Sequence, residues 1–238
     1  MTQTIKGIVF DKDGTLFDFN ATWGAWADIM LTQEAGGDPA LRDRLALALG
    51  YDVARKRFEP GSLIIAEPVD VIAQHVLRIA QPTATTAADL TDLIDRMNAA
   101  SAQVPQVAAC DLPALMQRLR AIGLTLGIAT NDAEAPARRH LAQESVLTDI
   151  AFVAGYDSGF GGKPAPGQLL AFCDATGLAA ADCVMVGDSL HDLAAGRAAG
   201  MKTVGVLTGP ADRATLEPHA DAVLAHVGHL PDWIITQA

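Results

Sequence analysis

Cysteine is scarce in this chain: Cys110, Cys173 and Cys183 are few, odd in number and widely spaced. That excludes a disulfide framework or a zinc-ligand pattern and predicts ordinary reduced thiols in the cytoplasm. Basic residues are also short, 17 Lys and Arg against 28 Asp and Glu, for a net charge of −11. Binding to nucleic acid or to an anionic membrane surface needs a basic face, so neither partner is expected. No apolar run approaches the length of a membrane-spanning helix, and the first residues lack the charged and apolar regions of a signal peptide. What is present is ample core: half of the 238 residues are hydrophobic and 19% are charged, a globular composition with room for one large domain or two modest ones. An acidic chain that handles phosphorylated metabolites would have to supply positive charge locally, from a metal and a few Lys or Arg.

Five short apolar runs stand out, at residues 5–10, 124–130, 150–154, 184–187 and 203–207. Each is bounded by Gly, Asp or Asn, and helical patterns separate those of the second half, which predicts an α/β fold with a parallel sheet. Residues 222–225 are a candidate edge strand, and the tail through Trp233 and Ile234 is expected to lay a last short helix on the sheet. Residues 18–104 differ, with no convincing strand and apolar residues at helical spacing. Trp23, Trp26 and Met30 form one stripe, and Val71, Val76, Leu77 and Ile79 another. Thr86 with Asp89 resembles a helix start, and breaks are expected at Pro39, Pro60, Pro68 and Pro82. This stretch reads as an insert of four or five helices. Pro105 and Pro113 bracket the return to the core, where residues 112–122 are expected to form a helix closed by Gly123. Oligomeric state leaves no mark in the sequence.

The chemistry gathers at the ends of these runs. Asp11-Lys12-Asp13-Gly14-Thr15 closes the first run and delivers two carboxylates one residue apart. In an extended turn both can face one small volume, where one could attack phosphorus while the other handles the leaving group's proton. Two ionised acids so close repel unless a cation neutralises them. Thr130-Asn131-Asp132 closes the second run, either as a phosphate cradle or as a plain N-cap. Lys163, between Gly161-Gly162 and Pro164-Ala165-Pro166, has more local backbone control than a surface lysine needs and could pair with a carboxylate and with phosphate oxygens. Asp188 ends the fourth run, and Asp192 lies four residues on, close enough to share a helix face. Ser189 and Asp192 also fit a capping box, and His191 is expected to be exposed and without a role. Arg55, Lys56 and Arg57 read as a solvated helix face, with contact to a substrate carboxylate as the other possibility.

Taken together, Asp11-Lys12-Asp13-Gly14-Thr15-Leu16, Thr130-Asn131, Lys163-Pro164 and Gly187-Asp188 with Asp192 resemble, in order, the four motifs of the haloacid dehalogenase superfamily. The likeness is nearest to its phosphoglycolate phosphatase branch, which Phe10 to Asp18 and Gly196-Arg197-Ala198-Ala199-Gly200-Met201 also resemble. The resemblance implies a Rossmann-like three-layer α/β/α core at residues 1–17 and 105–238, with an inserted all-helical cap domain at 18–104. It further implies a Mg2+-dependent phosphatase for a small phosphorylated metabolite, working through an aspartyl-phosphate. Asp11 would be the nucleophile, and Asp13 would protonate the leaving group and then activate water. Mg2+ would be held by Asp11, the Asp13 backbone carbonyl and Asp188, with Asp192 supporting it. Thr130 and the Asn131 backbone would hold the phosphoryl group, and Lys163 would orient Asp11. The cap would close over the site and shape substrate choice. Asp13 disfavours the family's dehalogenase chemistry, which lacks that residue. A phosphosugar mutase of the same fold and a non-catalytic metabolite-binding protein remain open at this stage.

Overall fold

The apolar runs form strands because residues buried on both faces of a parallel sheet must be apolar throughout. The computed structural model describes residues 5–59, 61–67, 69–81, 86–101 and 104–236. It contains two compact units, Met1–Asp18 with Ala108–Ala238, and Phe19–Val107. In chain order the strands are β1 (Gly7–Phe10), β2 (Tyr51–Asp52), β3 (Arg57–Phe58), β4 (Thr125–Ala129), β5 (Phe152–Ala154), β6 (Cys183–Gly187), β7 (Lys202–Val206) and β8 (Ala222–Leu224). The helices are α1 (Phe19–Ala35), α2 (Pro39–Leu49), α3 (Leu63–Ala66), α4 (Val69–Ala80), α5 (Ala87–Ser101), α6 (Leu112–Ala121), α7 (Glu134–Gln143), α8 (Gly167–Thr176), α9 (Leu190–Ala199), α10 (Arg213–Leu216) and α11 (Leu230–Ile235).

The first unit is built on a six-stranded sheet in the order β5-β4-β1-β6-β7-β8, with every pairing parallel. Central β1 sets the register: Ile8 pairs with Leu126 and Val184, and Phe10 with Ile128 and Val186. Successive side chains alternate faces. Ile8 and Phe10 join one core with Leu115, Met116 and Leu119 of α6, Leu141 of α7 and Ile234 of α11. Val9 joins the other with Phe172 of α8 and Ala195 of α9. Each fully buried Val, Leu, Ile, Phe or Met side chain among them stabilises the fold by about 1.5–3 kcal/mol. The result is the expected three-layer α/β/α arrangement, including the edge strand and the last short helix. The strand order reverses about β1, and such a switch point leaves a crevice at the carboxyl ends of the strands.

The second unit closes its own core around Trp26, Met30, Leu31, Leu45, Leu49, Val76, Leu77, Leu93 and Met97. The Trp26 indole donates to the Met97 carbonyl at 3.0 Å, and the Tyr51 hydroxyl to the Gly24 carbonyl at 3.0 Å. Thr86 and Asp89 exchange the expected capping bonds, with Thr86 N–H donating to Asp89 at 3.0 Å and Asp89 N–H to Thr86 Oγ1 at 3.2 Å. Pro39 starts α2 behind its cap Asp38. Pro60, Pro68 and Pro82 lie outside the described residues.

This unit departs from the all-helical insert that the sequence predicts. The unit is not purely helical, because β2 and β3 pair antiparallel as a small hairpin. Asp52 Oδ1 accepts the N–H groups of Ala54 and Arg55 at 2.9 Å each, Lys56 takes a positive φ of 51°, and Tyr51 packs on Phe58. The basic residues Arg55 and Lys56 are therefore an exposed hairpin turn, not a helix face, and Arg57 follows them in β3.

Candidate active site

The residues of the four motifs all belong to the sheet unit, just beyond the carboxyl end of a strand, in the loop that precedes α8 or, for Asp192, in the first turn of α9. Asp11 follows β1, its N–H donating to the Val186 carbonyl at 2.9 Å. Gly14 then turns the chain at φ 78°, with no room for a side chain because Asp188 occupies that space. Thr208, just past β7, fixes the turn by donating to the Gly14 carbonyl at 2.7 Å. Asp188 follows β6 and precedes the N-cap Ser189, so it sits at the strand-to-helix junction and not on the helix. Asp192 is the third residue of α9 and completes the capping box, its Oδ2 accepting from the Ser189 N–H at 3.0 Å and hydroxyl at 2.6 Å.

Lys163 is buried, and its ammonium donates to Asp11 Oδ1 and Asp192 Oδ1, each at 2.6 Å. Its backbone is held by Asn131, whose side-chain oxygen accepts the Lys163 N–H at 2.8 Å while its amide donates to the Lys163 carbonyl at 2.9 Å. This lock explains how a loop lysine reaches a buried carboxylate. Thr130 is buried too, and its Oγ1 accepts from the Asp132 N–H at 3.0 Å. The cap of α7 is Ala133, so Thr130 does not cap that helix.

One oxygen from each of Asp11, Asp188 and Asp192 lies within 4.8 Å of the others. Three buried carboxylates face a single buried ammonium, and the electrostatics record the excess. Burial above all, then Asp192 and Asp13 against the opposing pull of Lys163, pushes Asp11 up to about 6. Burial, then Asp192 and Asp11, raises Asp188 well above the usual carboxylate range. Burial alone would lower Lys163, but Asp11 and Asp192 outweigh it and hold the ammonium above its ordinary value. An all-oxygen cluster with surplus negative charge suits a hard divalent cation, so Asp11, Asp188 and Asp192 could hold one.

The Asp13 carboxylate stands apart from that trio, because it pairs with Lys12 at 2.6 Å. The sequence assigns Lys12 no role, yet its side chain is 1% exposed. Thr15 donates to Asp188 Oδ1 at a long 3.5 Å. His140 contacts the Lys12 ammonium through Nδ1 at 3.3 Å, and burial followed by the Lys12 charge holds its imidazole below the ordinary histidine value. A lysine between two acids was the available signal for Lys12. His140, 128 positions away, gave none. His191 is exposed, as expected.

The profile of the haloacid dehalogenase-like hydrolases matches residues 5–200. A phosphoglycolate phosphatase of Rhodospirillum rubrum is 32% identical over 232 residues, spanning 96% of this chain and 90% of that protein. Its Escherichia coli counterpart is 27% identical over 221 residues, 87% of this chain and 83% of that protein. A HAD family hydrolase from Deinococcus radiodurans, solved with bound phosphate and sodium, has the same fold at a TM-score of 0.73 and 21% identity, covering 99% of this chain and 97% of that one.

Proposed function

This chain belongs to the haloacid dehalogenase-like hydrolase family, and from that premise we propose that it is a Mg2+-dependent phosphatase acting on a small phosphomonoester of the 2-phosphoglycolate kind. One observation carries the reading: the buried Lys163 ammonium bridges Asp11 and Asp192, while Asp188 completes a carboxylate trio beside the nucleophile. The relationship to the Rhodospirillum rubrum enzyme supports the choice of substrate class.

Asp11, Asp188, Asp192 and the backbone carbonyl of Asp13 would hold the cation, which would offset the charge of the phosphoryl oxygens. Asp11 Oδ attacks phosphorus. As the bond from phosphorus to the ester oxygen breaks, its electron pair goes to that oxygen, which takes the proton of the Asp13 carboxyl. The ionised Asp13 then removes a proton from water, whose oxygen attacks phosphorus and returns Asp11 as a carboxylate. Lys163 keeps Asp11 oriented and offsets its charge. Thr130 and the Asn131 backbone hold the phosphoryl oxygens, and the helical unit acts as a cap that sets substrate choice. A cytoplasmic setting belongs to the same reading, supported by three free thiols.

The test is steady-state release of inorganic phosphate from 2-phosphoglycolate, with magnesium and with EDTA, for the wild type and Asp11→Asn. Turnover is expected only for the wild type with magnesium, and rapid quenching should trap phosphate on Asp11. An active Asp11→Asn protein or EDTA-insensitive turnover would refute the mechanism. Release of an isomerised sugar phosphate from a hexose 1-phosphate would mark a mutase instead. Tight ester binding without turnover would mark a sensor.

A further inference from the structure

Lys12 is the one buried ionic side chain of the first motif that the proposed reaction leaves without work. Its backbone carbonyl accepts the N–H groups of Thr15, Leu16 and Phe17 at 3.4, 3.0 and 3.1 Å, so its Cα is fixed by the turn itself. Its ammonium is fixed as well. It lies 2.7 Å from Asp13 Oδ1, 2.6 Å from Asp13 Oδ2, 3.3 Å from Asp132 Oδ2 and 3.3 Å from His140 Nδ1. The Phe17 ring, whose centroid is 5.8 Å away, closes another side. A lysine stem normally carries its charge out to water. Here the stem ends inside the protein, anchored on its far side by groups from the loop after β4 and from α7.

We propose that Lys12 is a positioning residue: anchored by Asp132 and His140, its ammonium holds the Asp13 carboxyl where it serves the ester oxygen. The ammonium meets both Asp13 oxygens and so fixes the plane of the carboxyl group, and one of the two contacts opens when that oxygen carries the proton. The proposal rests on the reading of Asp13 as the leaving-group acid, and its experiment separates the two.

That experiment compares kcat/KM, with magnesium present, for 2-phosphoglycolate and for 2,4-dinitrophenyl phosphate, whose leaving group departs without needing a proton. Asp13→Asn should lose the alkyl ester by about a hundredfold or more beyond its loss on the aryl ester. Lys12→Met should lose it in the same direction by about tenfold, and Lys12→Arg by less. A merely structural lysine would lower both esters alike. If Asp13→Asn discriminates between the esters and Lys12→Met does not, the positioning role is overturned while the mechanism stands. If Asp13→Asn itself fails to discriminate, the acid assignment falls and the positioning role falls with it. Asp132→Asn removes an anchor without touching Asp13, so it carries the same test should Lys12→Met not fold. A selective loss of about threefold on the alkyl ester is expected there, and equal losses on both esters would overturn the proposal.

Discussion

Lys163 and Lys12 are both withdrawn from water, but they sit in different surroundings. The carboxylates that meet Lys163, Asp11 and Asp192, have side chains only 10% and 2% exposed. Those that meet Lys12, Asp13 and Asp132, are 26% and 38% exposed. Around Lys163 the charges are dry and unbalanced, and no partner can turn to solvent if one is lost. Around Lys12 the acids can reach water. An ion pair's value depends less on its length than on what its members can do when separated.

Removing each ammonium should therefore break the likeness most visibly. In chelator-treated protein, Lys163→Met is expected to cost about 3–5 kcal/mol. Lys12→Met should cost about 1–3 kcal/mol. Chemical denaturation measures both, and equal losses would mean that the two ammoniums are held alike. Magnesium sharpens the contrast next. It should raise the melting temperature of Lys163→Met by more than that of Lys12→Met, because only the former leaves the carboxylate trio without its counter-charge.

Acid should act on the Lys12 side. His140 titrates below the ordinary value of 6.5, through burial first and the Lys12 charge second, while Asp13 and Asp132 oppose the shift. As the pH falls through about 6.5, the unfolded chain takes up the proton before the folded one, so stability is lost on acidification. The advantage of the wild type over His140→Gln should shrink between about pH 7 and pH 5, as followed by denaturation at each pH. The smallest effects concern two helix starts of one pattern. Ser189→Ala should cost about 1–2 kcal/mol, since its partner Asp192 reaches into the trio. Thr86→Ala, whose bond to Asp89 is exposed, should cost about 0.5–1 kcal/mol.

Strands and helix starts were readable because their causes are local. An apolar run of strand length, or a Ser three residues before an acid, says the same thing wherever it stands. The ends of the strands were less so: β1 begins at Gly7 and not at Ile5, and a short turn of 3-10 helix precedes β5. The hairpin leaves no mark in the sequence because its turn is made by the Asp52 side chain and by a lysine with positive φ, where a glycine would have advertised it. Lys163 could be singled out from its glycines and prolines, but its lock by Asn131 could not, since that bond joins residues 32 positions apart. Lys12 was hidden for the same reason. Burial of a charged side chain is decided by distant partners, here on the loop after β4 and on α7, and adjacency in sequence carries no trace of them.

The seam at which the helical unit leaves and rejoins the sheet unit has a consequence of its own. Phe17 and Ala108 bridge antiparallel, and the Ala109 N–H donates to the Leu16 carbonyl at 2.9 Å. The two splice points are thus stitched together by the core's own backbone. A short linker across that stitch should yield a truncated variant that still folds, and a foreign helical module should be graftable at the same place. Exchange of such inserts, with the reaction centre kept, is a ready route by which one scaffold acquires new preferences.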